Sequence, residues 1–397
     1  MHFFDGNDRN TQDNLWQRMM PFLLNSFSDV KRELKKKIKK KSPCHPSSLS
    51  EHDKQCIKFI KEQTKQHNQN NVTRSQAYFH FYLQHPEIHW ALLAHMVSRN
   101  VGWNMTDLKG ELLTKLLPES DQKAFFSFLE RGSWLIFGDI FPQFLIYDLS
   151  VRGSREMFHL LPFFGTSTFM DTMWSYFWRR RDSYTLAIAM VINEQSYLEN
   201  RLIQNHHFKK NVTGTVSFKM YDFLQLNNII FPYGSGEKRE KALLTGSALR
   251  YFTSLHERIL FGKKLYSLLF QHEEILKGVL KWAHEHPHTG SRKDYWPHLF
   301  NDINESLPRS LYKRRVKNCV LRKGAERLYS PPLKYAWPNI PHEDAEGGDW
   351  FKDWHILDYI HKEVSLDGDI LNNYCKTIET IELAVMAKEA ILLREEE

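Results

Sequence analysis

The residues best suited to chemistry lie together between positions 85 and 107. Three histidines, His85, His89 and His95, sit in or beside an apolar helical pattern. The polar and aromatic side chains that follow them are Arg99, Asn100, Trp103, Asn104 and Asp107. Because polar side chains are seldom buried without a partner, this stretch is either a hydrogen-bonded core network or a binding site.

The first two histidines have the spacing of metal ligands one helical turn apart. Pro86 follows His85 directly, and a proline disfavours helical geometry at the residue before it. The two rings should therefore not share a helix face, and we predict no metal and no cofactor. We expect His85 to cap a helix and His89 to be a hydrogen-bonded core residue or to line a pocket.

We predict a helix from Pro86 to about Asn100 that is buried nearly all round, since two adjacent faces are mostly apolar. His95 would lie inside, hydrogen-bonded and neutral unless an acid is close. After Asn100 we predict a turn, in which Gly102 ends the helix and Asn104 caps the next one.

Two interpretations of this turn remain open. The Arg99 guanidinium suits bidentate recognition of a carboxylate or phosphate, which would make the turn part of a ligand site. Alternatively, Arg99 pairs with Asp107 and fixes the angle between two helices.

A second polar group, residues 193–195, interrupts an apolar helix predicted from Ser183 to about His206. A partly buried Glu194 would have a raised pKa and suit general acid–base catalysis; the alternative is a structural ion pair with Arg201. The candidates for acid–base chemistry are His95, Asp107 and Glu194. The candidates for ligand binding are His89, Arg99, Asn100, Trp103 and Asn104.

The first functional hypothesis is a polar pocket built on residues 85–107 and 193–199. It would bind a small polar or anionic ligand or perform acid–base chemistry, and it requires both segments to meet at one concave surface.

Helical periodicity recurs along almost all of the 397 residues, so we predict an all-α protein with a large multi-helix body. Its 42% hydrophobic and 25% charged residues are typical of globular proteins. We predict a helical arm and linker at 1–49 and one helical domain at 50–397, with a possible sub-boundary at a glycine-rich hinge near 232–237. Residues 213–219 are the single strand candidate.

Lys31 to Lys41 form a basic run of eight basic residues and one acidic residue, Glu33. The run accounts for the whole net charge of +7. Such an arm can contact nucleic acid or an anionic membrane with a steep salt dependence, or it is a solvated helix face. The second hypothesis is therefore a non-enzymatic interaction protein that docks nucleic acid, membrane or an acidic partner through this arm.

The four cysteines are far apart and form no Cys-x-x-Cys pair. We therefore expect free thiols and a cytoplasmic location. The most apolar run, residues 158–178, contains His159, Pro162, Gly165 and Asp171, so no transmembrane segment is expected.

Several blocks of this chain resemble the YppC-like family of bacilli, a domain of unknown function. They are residues 85–110, 130–137, 192–195 and 290–297. The resemblance covers about residues 50–360 and implies a bacterial cytoplasmic protein. It provides no catalytic residues to transfer.

Overall fold

The computed structural model describes residues 28–39, 49–215, 218, 228–235, 242–249, 251–304, 311–364 and 370–395. Helices dominate these residues, as predicted. The α-helices are α1 (residues 28–39), α2 (Glu51–His67), α3 (Asn71–Gln84), α4 (His89–Asp107), α5 (Leu113–Leu116), α6 (Glu119–Arg152), α7 (Thr168–Arg180), α8 (Ser183–Leu198), α9 (His206–Phe208), α10 (Leu255–Phe270), α11 (Glu273–Glu285), α12 (Leu333–Ala336) and α13 (Ile370–Glu395).

Short helical segments and strands complete the described fold. The 3-10 helices are Phe158–Phe164, Arg292–Asp294 and Trp354–Ile360, and the π-helical turns are Glu199–Ile203 and Lys209–Thr213. The strands are β1 (Asn228–Ser235), β2 (Ala242–Ala248), β3 (Phe300–Asn301), β4 (Val316–Lys317), β5 (Val320–Leu321) and β6 (Leu328–Tyr329). β1–β2 and β4–β5 pair antiparallel, and β3–β6 pair parallel.

Local sequence explains where the main helices begin. Ser50 and Asp53 form a reciprocal capping box at the start of α2. Asp182 caps α8 through a hydrogen bond from the Thr185 backbone N–H at 2.9 Å. α8 is apolar nearly all round and packs against α4, α6, α7 and α10. The chain therefore places Glu194 at the centre of a helical bundle.

α6 is long and apolar enough to cross a membrane by length and composition, and the other described helices are not. Within the protein, 61% of its apolar window is buried. The core helix of a globular protein passes the same test, and the surrounding helices α2, α3, α4 and α8 cover α6 in this way.

The described residues between 213 and 249 differ from the sequence prediction in two places. Thr213 lies in a π-helical turn rather than in a strand. Residues 232–235 of the expected hinge belong to strand β1 of a β-hairpin: Ile229 pairs with Ser247 and Phe231 with Thr245, and the register shifts between Pro232 and Gly234. This bulge accommodates a proline within the strand. Residues 242–248 form the second strand of this hairpin. The possible sub-boundary near 232–237 stays a prediction.

The expectation of free thiols is also wrong for two of the four cysteines. Cys319 and Cys375 form a disulfide, whereas Cys56 is free and buried and Cys44 lies outside the described residues. The disulfide ties α13 to the β4–β5 hairpin. Next to it, the buried Glu382 carboxylate accepts hydrogen bonds from the Tyr312 hydroxyl and the Arg315 backbone N–H, both at 2.7 Å.

The described part of the basic arm is a helix that packs on the body. Leu34 and Val30 of α1 are buried, and the Lys37 ammonium donates to the Asp171 carboxylate at 2.8 Å. Lys40 and Lys41 lie outside the described residues. The division into an arm at 1–49 and a domain at 50–397 stays a prediction.

Candidate functional site

A cavity of about 220 Å³ lies between α3, α4, α6, α8 and α10. A cavity of about 150 Å³ lined by apolar side chains holds benzene, so this one has room for a somewhat larger molecule. Most of its wall is apolar. The aromatic side chains in the wall are Tyr78, Trp90, Phe128, Phe252 and Phe261.

One face of α4 forms a large part of this wall. The lining positions Trp90, Ala94, Ser98, Val101 and Asn104 follow one another at spacings of three and four, which places them on the same side of an α-helix. Asn104 is buried, and within the described part of the chain its Oδ1 atom has no hydrogen-bond partner.

Glu194 is the acidic side chain in the wall. Surrounding protein raises its pKa to about 7 through desolvation, against a hydrogen bond from Trp90 and the positive charge of Arg258. The side chain nevertheless keeps some accessible surface, because it faces the cavity. Near neutral pH it therefore exists as both acid and carboxylate.

A hydrogen-bonded chain orients the residue next to Glu194. Arg258 is buried and forms an ion pair with Glu199, and its Nε atom donates to Gln195 Oε1 at 3.0 Å. Because an arginine can only donate, the Gln195 amide oxygen must face it. The Gln195 Nε2 group is thereby directed to Glu194 Oε1, at 3.1 Å.

A second arginine in the wall also has its own carboxylate. Arg74 is buried, and its guanidinium lies 2.6 Å from Glu130. Tyr78, one helical turn further along α3, has a hydroxyl with no hydrogen-bond partner among the described residues. Burial raises the pKa of this phenol, and the nearby Glu194 charge raises it further. Neither this hydroxyl nor Asn104 Oδ1 has accessible surface, so neither atom faces the open volume of the cavity directly.

The predicted turn at 100–104 does not exist, because α4 continues to Asp107. Gly102 is required by close packing rather than by a helix end: a Cβ there would lie 2.5 Å from Asn71 Oδ1 and 2.8 Å from His288 Cε1. The polar residues of this stretch therefore point to different sides of one helix and do not form a single cluster.

Arg99, Asn100 and Trp103 face residues 282–301 and the β-hairpin, outside the cavity lining. Arg99 stacks over the Trp282 ring at 4.3 Å and donates to a backbone carbonyl. Asn100 donates to Ile230 O at 3.0 Å and accepts from Ile230 N at 2.9 Å, as a neighbouring strand would. Trp103 stacks on the rings of three aromatic side chains, which are Tyr295, Trp296 and Tyr374.

The suggested ion pairs of Arg99 with Asp107 and of Glu194 with Arg201 are both wrong. Asp107 instead forms a bidentate pair with Arg292, whose nitrogens lie 2.6–2.9 Å from the carboxylate oxygens. Arg201 donates to the backbone carbonyls of residues 346 and 348.

The histidines also lie outside the cavity lining. His95 is buried, bonds through Nδ1 to the Ser75 carbonyl at 2.9 Å and stacks on Phe79. Burial and the nearby Arg99 charge hold the pKa of His95 well below its usual value, so it is neutral. His89 bonds to the Tyr266 hydroxyl at 2.9 Å, and burial lowers its pKa to about 4. His85 bonds to Asp148 at 2.9 Å.

Of the predicted site residues, the structure brings Asn104 and Glu194 together at the cavity. Sequence reasoning did not identify Tyr78, Trp90, Gln195 and Arg258 as site residues. The spacing of Trp90, Ala94, Ser98 and Val101 was visible in the sequence, but it reads as an ordinary core face. Arg258 carried no signal, because only the fold brings it to α8. Among the residues the structure describes, no three His, Cys, Asp or Glu side chains are placed to hold a metal ion.

Comparison with known proteins connects this architecture to a family. The chain is 40% identical over 293 residues to a Bacillus subtilis (strain 168) protein named "Uncharacterized protein YppC", a match that covers 74% of this chain and 82% of the relative. No solved structure matches the chain. Residues 66–367 match the family model described as "Protein of unknown function (DUF2515)". This chain therefore belongs to the DUF2515 family, as the resemblance in its sequence predicted.

Proposed function

We propose that this protein binds a small molecule with an apolar body and one polar end in the cavity between α3, α4, α6, α8 and α10, with Glu194 as the polar contact. The observation that carries the proposal is an apolar cavity with one accessible carboxyl group in its wall. Ligand sites combine mainly apolar walls with a few placed polar groups.

The geometry explains why the polar contact would be selective. Gln195, fixed by Arg258, donates to Glu194 at 3.1 Å, and the Trp90 N–H favours the ionised form of the carboxyl group. The bond from Gln195 orients the carboxyl group and leaves its remaining acceptor capacity to a ligand. Asn104 and Tyr78 add unpartnered polar atoms at the wall.

Filling the cavity tests this proposal. Ala94→Leu adds carbon atoms into the empty volume without adding a polar group, so the folded protein should be as stable as the wild type or more stable. We expect wild-type protein to bind phenethyl alcohol in isothermal titration and Ala94→Leu to lose that binding. Ala390→Leu, on the exposed side of α13, is the matched control and should bind as the wild type does. Equal binding by Ala94→Leu would place the ligand elsewhere.

Acid–base chemistry at Glu194 is the catalytic form of the same proposal, because its pKa of about 7 suits proton transfer near neutral pH. We assign His95 and Asp107 structural roles, since each bonds to a partner outside the cavity.

Electrostatic docking through Lys31–Lys41 is a separate proposal. The exposed basic side chains of α1 are Arg32, Lys35, Lys36 and Lys39. Reversing Lys36 and Lys39 to glutamate leaves the buried Leu34 in place, and it should abolish salt-sensitive binding to duplex DNA or to anionic vesicles if the arm functions in this way. Unchanged binding would exclude the arm.

We also propose a cytoplasmic location. The buried position of the apolar helix α6 supports it, while the Cys319–Cys375 disulfide argues for an oxidising compartment. Alkylation of thiols in intact cells decides between them: a reduced pair supports the cytoplasm, and an oxidised pair contradicts it.

A further inference from the structure

We infer that the ligand of this cavity is a small organic monocation, an ammonium group on an apolar body, that pairs with the Glu194 carboxylate. The inference rests on the proposed binding function and specifies the chemical class of the ligand. It replaces the earlier expectation of an anion.

The charges around the cavity are the first argument. Arg74 is neutralised by Glu130 at 2.6 Å, and Arg258 is neutralised by Glu199. Glu194 forms no ion pair with the residues that the structure describes, since Arg258 reaches it only through Gln195. With Glu194 ionised, the described residues of the wall and their ion-pair partners therefore carry one unbalanced negative charge, which a single positive charge on the ligand would neutralise.

The hydrogen-bond capacity of Glu194 is the second argument. Its protein partner Gln195 donates to it at 3.1 Å, and the nearby Trp90 N–H lowers the pKa of Glu194, so both groups favour the ionised carboxylate. An ionised carboxylate can only accept. A ligand that presents N–H groups completes this set of bonds, whereas a ligand carboxylate would meet a like charge.

The aromatic wall is the third argument. Ammonium groups are attracted to the faces of Trp, Tyr and Phe rings, and Trp90 and Tyr78 line the cavity with Glu194. An ammonium leaving water must recover its hydration free energy inside the protein. Interactions with a carboxylate and with aromatic rings can replace the hydration that the ammonium group loses.

Ammonium binding should release protons near neutral pH. The charged or polar groups that surround Glu194 are Tyr78 and Arg74 from α3, Trp90 from α4, Gln195 from α8 and Arg258 from α10, with Asp139 of α6 acting on Tyr78. Arginine is not deprotonated in proteins, and amide and indole groups do not titrate. Asp139, whose pKa burial raises to about 6, lies away from the cavity lining. Proton release should therefore report mainly Glu194.

The test uses three probes of the same shape and different charge: phenethylamine, phenethyl alcohol and phenylacetate. Isothermal titration of the full chain near pH 7, in buffers with different ionisation enthalpies, gives affinity and proton release together. We expect the amine to bind at least about tenfold more tightly than the alcohol, with release of protons, and phenylacetate to bind most weakly. In Glu194→Gln the amine should lose its advantage and its proton release, while the alcohol still binds.

The outcomes separate the inference from the proposed function. If the alcohol binds as well as or better than the amine, and Ala94→Leu removes both, the cavity is a ligand site and the inference of a cation is wrong. If phenylacetate binds most tightly of the three probes, the ligand is an anion and the inference of a cation is wrong. Absence of binding by all three probes would contradict both the cavity site and its ligand class. Glu62→Gln, an exposed change on α2, controls for the loss of one negative charge.

Discussion

Glu194 combines a central position with a pKa of about 7, and its protonation should therefore appear in the stability of the protein. The pKa is raised in the folded state above 4.5, its ordinary value. The stabilisation is therefore complete below about pH 4.5 and is lost as the pH rises through about 7.

The first prediction concerns this pH dependence. When the pH rises from about 5 to about 8, the unfolding free energy of the wild type should fall by about 2 kcal/mol more than that of Glu194→Gln. This value is smaller than the full pKa shift would give, because the carboxyl group is partly accessible from the cavity. Urea unfolding at both pH values measures the difference. Glu62→Gln should follow the wild type, and parallel pH profiles of the wild type and Glu194→Gln would show that Glu194 titrates normally.

A second residue-scale prediction compares two tyrosine hydroxyls. Tyr78→Phe removes an unpartnered group and should change the unfolding free energy by less than about 0.5 kcal/mol or stabilise the protein. Tyr147 donates to Glu87 at 2.7 Å and accepts from Arg181 at 3.1 Å, so Tyr147→Phe should cost about 1–2 kcal/mol. Thermal denaturation separates the two, and a large loss in Tyr78→Phe would reveal an unseen partner.

The roles of individual side chains are the least predictable part of the structure. Glu194 stands out in the sequence because three consecutive polar residues interrupt an apolar helix. Its neighbours Gln195 and Arg258 gain meaning only from a contact across 63 positions of the chain. Asn100 and Trp103 have structural roles: Asn100 forms a hydrogen bond with Ile230 of β1, and Trp103 stacks on Tyr295.

At the scale of elements, α4 is central to the fold because its two sides contact different parts of the protein. One side lines the cavity, and the other fixes the β-hairpin through Asn100 and Ile230. The helix itself was predicted and its end was not. Gly102 is typical of a helix end, but here it lies inside α4, where the absence of a Cβ lets the side chains of Asn71 and His288 pack against the helix.

The hairpin contact gives the third prediction. Asn100→Asp keeps the shape of the side chain and removes the donor to the Ile230 carbonyl, leaving a buried carboxylate. We expect a loss of about 2–4 kcal/mol in unfolding free energy. Asn104→Ala, four residues along and without a partner at Oδ1, should cost much less. Equal losses in chemical denaturation would contradict the role given to Asn100.

The packing of α10 on α8 gives the fourth prediction. A Cβ at Gly262 would lie 2.5 Å from Val191 Cγ1, so Gly262→Ala should force the two helices apart and cost about 1–3 kcal/mol. Adding Val191→Ala removes the clashing methyl groups. The double variant should therefore recover part of the loss in thermal denaturation, and simple additivity of the two losses would argue against a clash.

At the scale of the whole molecule, the helical class and the bundle follow from the sequence. The disulfide that joins α13 to the β4–β5 hairpin does not. Cys319 and Cys375 are 56 residues apart, a spacing that gave no reason to pair them. Glu382 also binds the 312–316 segment to α13, so the same two parts of the chain meet through hydrogen bonds as well. Long-range contacts of this kind leave no local pattern in a sequence.

The fifth prediction concerns the Cys319–Cys375 disulfide. Replacing both Cys319 and Cys375 with serine should lower the unfolding free energy by about 2–4 kcal/mol and make α13 more accessible to limited proteolysis. Reductant should produce the same loss in the wild type and none in the double variant. Equal stability of the oxidised wild type and the double variant would show that the hydrogen bonds of Glu382 hold α13 without the disulfide.

The most direct test of the central claim is a crystal structure of the wild-type protein soaked with phenethylamine. The account predicts electron density for the amine in the cavity, with its nitrogen at hydrogen-bond distance from the Glu194 carboxylate and its ring beside Trp90. A cavity that holds only water, with the amine absent or bound at the surface, would contradict it.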